Sequence, residues 1–151
     1  MIDYQKLKKL REDTGVSFAL CKKALEETKN NIDKAKQKLA EWGAEKVIEK
    51  QSRSTLQGCI FSYIHHNGKV ASLVELLCET DFVSGNAEFK KLGAEIAMQV
   101  ASIPAKDTEK LLSQEYIRDP VKTISDLIKE AVLKFGENIK IGKFVRYQLG
   151  E

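Results

Sequence analysis

Along the first 50 residues, apolar positions recur three and four apart, the repeat of helices that turn one face to a core. Leu7 and Leu10 stripe the first segment, with Asp3 available as its cap and Gly15 as its terminating residue. Ser17 is placed to cap a second helix through Cys21, Ala24 and Leu25. Asn30-Asn31 interrupts the chain, and Ile32, Ala35, Leu39 and Trp42 then predict a third helix that runs past Gly43 to about Gln51. Three helices this short make a small bundle, marginal in stability unless it docks on something.

The period changes after the polar joint Gln51-Ser52-Arg53-Ser54-Thr55. Two strand-like runs, Gly58–His65 and Lys69–Cys78, flank His66-Asn67-Gly68, and Asn-Gly tolerates the positive φ angles that a tight hairpin demands. Apolar residues fall on both faces of the second run, Val70, Val74 and Leu76 against Leu73 and Leu77, so it is expected to be covered on both sides or to sit at an interface. A loop, Glu79–Asn86, leads to a helix striped by Phe89, Leu92, Ile96 and Val100 and ended by Pro104. A polar stretch with one short helix reaches Asp119-Pro120, where a capping Asp and a first-turn Pro predict another helix start. Val121, Ile124, Ile128, Ala131 and Phe135 form its stripe, Gly136 closes it, and a last strand over Ile139–Leu149 is expected to bulge at Gly142. The fold class is α+β: a three-helix bundle over residues 1–53, then over 54–151 an antiparallel three-stranded sheet packed with helices, in the order β-β-α-α-β.

Composition adds limits. The chain is 42% apolar and 31% charged, enough for a real core in a soluble protein, and no apolar run approaches the roughly 20 residues that span a bilayer. The N-terminus lacks the apolar stretch and cleavage site of a secretory signal, which points to the cytoplasm, or to an organelle interior after loss of a presequence. Residues 1–53 carry a formal charge of +4 and the remainder −1, a basic excess compatible with an acidic protein partner or with RNA. Cys21, Cys59 and Cys78 have neither zinc-ribbon nor disulfide-scaffold spacing and read as reduced, partly buried thiols.

No residue set reads as catalytic. His65 and His66 are the only histidines, and as strand neighbours they would point to opposite faces. A Cys–His pair cannot be built on Cys78, and there is neither a phosphate-binding glycine loop nor a set of metal ligands, so no cofactor or metal is expected. One segment is unusual: Cys78-Glu79-Thr80-Asp81-Phe82-Val83-Ser84-Gly85-Asn86 puts a Phe and a Val among polar residues where the chain leaves a sheet. They either tuck back under the hairpin or form an exposed aromatic anchor of the kind that dominates interfaces.

Thr80-Asp81-Phe82-Val83 after a hairpin strand resembles the signature of the elongation factor Ts family. Leu10-Arg11-Glu12 and Thr14-Gly15 with Cys21-Lys22-Lys23-Ala24-Leu25 are similar to the first domain of that family, and so is Phe135-Gly136-Glu137-Asn138-Ile139 near the end. The resemblance implies a ubiquitin-associated-like domain over residues 1–53, an α+β core, and a guanine-nucleotide exchange factor, not an enzyme. Its partner would be elongation factor Tu, GDP-bound or nucleotide-free, with no direct contact to nucleic acid or membrane. By the same resemblance Phe82 would insert between helices of the GTPase with Asp81 hydrogen-bonding beside it. Arg11, Lys22 and the Phe18-Ala19 loop would grip the nucleotide-binding domain, Lys50 would add a basic contact, and Phe135 and Gly136 would form a turn touching the partner. Many relatives carry two methionines where this chain has Phe18-Ala19. Only one hairpin is found, and short members of the family are similar to this chain and pair as homodimers. The rival readings are a ubiquitin or nascent-chain binder built on the bundle, which leaves Thr80–Val83 idle, and an RNA-binding sheet using Phe61, Tyr63 and His65.

Overall fold

The computed structural model describes all 151 residues, Met1–Glu151. They divide into two compact units, Met1–Ser52 with Lys129–Gly136, and Arg53–Ile128 with Glu137–Glu151.

The first unit holds α1 (Tyr4–Thr14), α2 (Phe18–Glu27) and α3 (Ile32–Lys50). Each begins on a side chain that accepts from orphan backbone N–H groups: Asp3 from Gln5 and Lys6, Ser17 from Leu20, and Asn31 from Lys34. Gly15 ends α1 at φ +68°, and its N–H donates to the Arg11 carbonyl. Between α2 and α3, Lys29 and Asn30 both take positive φ. Asn30 is held there by accepting from the Asp3 N–H and donating to the Met1 carbonyl. Leu7, Leu10, Val16, Cys21, Ala24, Leu25, Ala35 and Leu39 form the core, joined by Leu133 from the chain's last helix. A glycine in the middle of α3 has a packing reason: a Cβ at Gly43 would lie 3.0 Å from the carbonyl oxygen of Lys129.

The second unit is built on β1 (Gln57–Ile64), β2 (Val70–Cys78) and β5 (Lys140–Gln148), antiparallel in the order β1-β2-β5. The register pairs Gln57 with Cys78 and Ile64 with Ala71 across the hairpin, and Leu73 with Val145 across the second pair. The hairpin closes through a wider loop than the tight turn expected: the His65 N–H donates to Val70, and only Gly68 takes positive φ. Val74 pairs with Phe144 but Leu76 with Ile141, so Gly142 and Lys143 together oppose Glu75. That is the expected bulge, and Glu75 Oε1 accepts from the Lys143 N–H. α5 (Ala87–Ser102) lays Phe89, Ile96 and Val100 over Phe61, Val74 and Leu76, and the rings of Phe89 and Phe61 meet with centroids 6.2 Å apart.

Three expectations need correction. Asp119-Pro120 does not start a helix. After α6 (Thr108–Ser113), β3 (Glu115–Tyr116) and β4 (Asp119–Thr123) make a small two-stranded sheet, and α7 (Ile124–Phe135) begins four residues later than the Asp-Pro signal suggests. Proline is tolerated on such an edge strand. The stronger start signal is the reciprocal pair in which Asp126 accepts from the Thr123 N–H and Thr123 Oγ1 accepts from the Asp126 N–H. Fully buried Gln99 fastens the hairpin by donating to Glu115 and accepting from Ile117. Second, of the two placements expected for β2, cover on both sides does not hold: Ser72, Val74, Leu76 and Cys78 are buried, whereas Leu73 is exposed and Ala71 and Leu77 are half-buried. Only one face of the sheet is covered within the chain. Third, the rings of His65 and His66 lie 4.1 Å apart, because β1 ends at Ile64 and strand alternation no longer separates them.

Candidate functional site

Where β2 ends, the chain makes a single helical turn instead of the loop expected, α4 (Asp81–Ser84). Thr80 caps it by accepting from the Val83 N–H, and the N–H of Gly85 closes it on the Asp81 carbonyl. Val83 and Ser84 point inward and are buried, which fixes the direction of their neighbours. Asp81 faces solvent, and Phe82 stands 88% exposed at the top of the turn. Of the two placements open to the pair, Val83 therefore takes the tucked one and Phe82 the exposed one. Leaving a Phe in water forgoes about 1.5–3 kcal/mol of burial. A lone aromatic on an anchored turn is the arrangement of an interface anchor.

The turn is held from the other end of the chain. The carboxylate of Glu137 accepts from the backbone N–H groups of Glu79 (3.0 Å) and Thr80 (3.1 Å) and from the Thr80 hydroxyl (2.7 Å). Glu79 answers by accepting from the Asn138 N–H at 2.6 Å and pairing with the Arg53 guanidinium at 3.5 Å, while the Asn138 side chain donates to the Arg53 carbonyl. In the sequence, Glu79, Glu137, Asn138 and Arg53 carry no local mark of this role. Within Phe135–Ile139 the pattern marks a helix stripe at Phe135, a helix end at Gly136 and a strand start at Ile139, and nothing local announces a bond to residues 57–59 positions away.

Beneath the turn, buried Cys78 donates to the Thr80 carbonyl, and half-buried Cys59 donates to the Ser84 carbonyl. Burial, and then the neighbouring Glu137 charge, push the Cys78 thiol up to about 11 from an ordinary 9.0. Since the folded value is the higher, this thiol contributes stability that is present below pH 9 and is lost as pH rises towards 11. At pH 8, Cys78 is expected to react with iodoacetamide roughly a hundredfold more slowly in the native chain than in urea. Peptide mapping by mass spectrometry measures this, and equal rates in the two states would contradict the burial described.

The remaining candidate residues lie in the first unit. Arg11 and Phe18 line a shallow apolar groove of about 440 Å³ with Tyr4, Leu7, Lys8 and Glu12. Phe18 and Ala19 are exposed in the first turn of α2, and Lys22 is half-buried one turn on. Lys50 ends α3. Phe135 ends α7 with the Lys134 ammonium 5.7 Å from its ring centre, and Gly136, at φ +70°, closes that helix by donating to Val132. So the structure gathers Thr80, Asp81, Phe82 and Val83 on one turn, and Arg11 and Phe18 in one groove. No group of three metal-ligating side chains occurs, and no helix is long and apolar enough to cross a membrane.

Comparison with known proteins gives a consistent result. Residues 79–151 match the family model described as elongation factor TS, and residues 2–46 match that for the N-terminal part of mitochondrial elongation factor Ts. The chain is 37% identical to an elongation factor Ts of Leptospira biflexa over 194 aligned positions, covering 99% of this chain and 98% of the relative. It is 39% identical to that of Coprothermobacter proteolyticus, with 96% of each covered, and 36% identical to that of Thermotoga maritima, with 96% and 94% covered. Because 194 positions align to a chain of 151 residues, the Leptospira protein carries at least 43 residues with no counterpart here.

Proposed function

The chain belongs to the elongation factor Ts family of translation elongation factors, and from that premise we propose that it is a guanine-nucleotide exchange factor that binds elongation factor Tu, GDP-bound or nucleotide-free, and promotes GDP release. The observation that carries the reading is Phe82, exposed on a turn whose other side is buried.

Exchange of this kind makes and breaks no covalent bond and asks for no cofactor on this chain. The factor binds a GTPase conformation whose Mg²⁺ and phosphate contacts are disturbed, so factor and nucleotide weaken each other by the same free energy. A thousandfold faster release, if it reflects lost affinity, corresponds to about 4 kcal/mol of coupling. One buried Phe supplies about 1.5–3 kcal/mol. The remainder falls to the other matched positions: Thr80 and Asp81 beside the wedge, Arg11, Phe18, Ala19 and Lys22 on the nucleotide-binding domain, and Lys50, Phe135 and Gly136 at further contacts, while Val83, buried beneath the turn, holds the wedge from within and does not meet the partner. These assignments, the ubiquitin-associated-like role of residues 1–53 and a cytoplasmic location rest on the family. Stopped-flow release of a fluorescent GDP analogue from elongation factor Tu, with and without the chain, tests the reading. Release that the chain leaves unchanged would reduce the kinship to one of fold.

A homodimer is part of the same proposal. The uncovered face of the sheet presents Ile60 and Ile64 of β1, Leu73 of β2, and Val145 and Tyr147 of β5, all exposed, and the register sets Leu73 beside Val145 and Ala71 beside both Ile64 and Tyr147. An apolar face of this extent is not usually left to water. Light scattering is expected to give twice the chain mass, falling to one chain in Ile60→Asp/Leu73→Asp. A wild-type chain that is monomeric at tens of micromolar would refute the pairing.

A further inference from the structure

We propose that Glu137 is a positioning residue for exchange: its carboxylate holds the α4 turn so that Phe82 is presented ready-made. This rests on the exchange reading above.

α4 is four residues long, and a single turn of helix does not hold itself in water. Its cap is also weak, since the Val83 N–H reaches the Thr80 hydroxyl at 3.4 Å. What defines the turn is its fastening to the rest of the unit. Glu137 engages three donors, two on consecutive backbone N–H groups at the end of β2 and one on the capping hydroxyl itself. Bonds to an ionised carboxylate are stronger than neutral ones. By accepting the hydrogen bond of the Thr80 hydroxyl at 2.7 Å, Glu137 turns that O–H towards itself and leaves an oxygen lone pair to face the Val83 N–H. The return bonds, Asn138 N–H and Arg53 to the Glu79 carboxylate, make the fastening reciprocal, so Glu79–Thr80 and Glu137–Asn138 are tied to each other from both sides. The hydrogen bonds of Glu137 go to Glu79 and Thr80, and it reaches Phe82 through them. An anchor fixed in its bound direction does not lose conformational freedom when the partner closes on it.

The test compares Glu137→Ala, Glu137→Gln, Phe82→Ala and the Phe82/Glu137 double Ala variant in GDP release from elongation factor Tu across a full range of factor concentration. Glu137→Ala is expected to lower the maximal rate about tenfold and to change the half-saturating concentration less than about threefold, because the lost quantity is direction and not contact. Glu137→Gln keeps one acceptor oxygen for the two backbone donors and is expected to stay within about threefold of wild type. In the Phe82→Ala background the Glu137→Ala change is expected to cost less than about twofold, as for two residues acting through one group. Amide hydrogen exchange on the free chain is expected to quicken at Glu79 and Thr80 in Glu137→Ala and to stay unchanged in the middle of α5. A Glu137→Ala variant with wild-type maximal rate, or one whose loss simply adds to that of Phe82→Ala, overturns the positioning role while leaving the exchange reading intact. A wild-type chain that does not accelerate release overturns both, and the amide data then report only the fastening.

Discussion

Phe82→Ala is expected to lower the maximal acceleration of GDP release from elongation factor Tu by about tenfold to a hundredfold, the rate equivalent of the ~1.5–3 kcal/mol that burying a Phe supplies. The affinity of the chain for the GTPase is expected to fall much less. Phe82 is 88% exposed and Val83, not Phe82, anchors the turn, so the substitution removes no core contact. Folding stability should therefore stay within about 0.5 kcal/mol of wild type, as for other surface changes. The split between rate and affinity is the informative part. A side chain that only adds contact area strengthens binding to every state of the GTPase alike and leaves release from the complex unchanged. A wedge stabilises the state with the disturbed nucleotide site more than the other, and its removal appears mainly in the rate. Titrating the variant in stopped flow, with affinity measured separately by calorimetry, separates the two, and equal losses in both would sink the wedge.

Phe89→Ala is expected to destabilise the second unit by about 3–5 kcal/mol, the range for removing a buried Phe. The residue is wholly buried in the first turn of α5, its ring against Phe61, and it shares the inner side of the sheet with Val74 and Leu76. Relief by inward movement is limited, because a Cβ at Gly93, one turn further on, would already lie 2.1 Å from the Phe61 ring. At about 2–4 °C per kcal/mol for a chain of this size, melting should fall by roughly 10 °C. Urea unfolding followed by far-UV circular dichroism measures the loss. Trp42, the only tryptophan, lies in the first unit and should report a smaller change by fluorescence if the two units unfold separately. A loss below about 1 kcal/mol would mean that α5 is not the main support of the sheet.

Local chemistry carried most of the fold. Asp3, Ser17 and Asn31 are capping types at the required positions and do cap. The stripe of Phe89, Ile96 and Val100 is the buried face of α5, and Gly142 lies in the bulge it announces. Asp119-Pro120 misled for an instructive reason. Asp-Pro suits a helix start and an edge strand alike, and the choice fell to the Thr123–Asp126 pair nearby and to Gln99, some twenty residues away, which draws this stretch into a hairpin.

The candidate site was legible only in part. Thr80–Val83 stood out as a segment, but which of Phe82 and Val83 faces water depends on the helical turn that Thr80 caps and that Glu137 secures. The sequence by itself determined α1, α2, α3 and α5, the β1, β2 and β5 strand segments, and the segment that carries the family resemblance, because caps, turns and side-chain period act within about four residues along the chain. The tertiary structure alone decided that Glu137 fastens residues 57 and 58 positions earlier, that Leu133 joins the core of Leu7 and Leu10, and that one face of β2 is buried while the other is only partly covered. Those are pairings between distant segments, and a carboxylate or an apolar side chain carries no local mark of the partner it will meet.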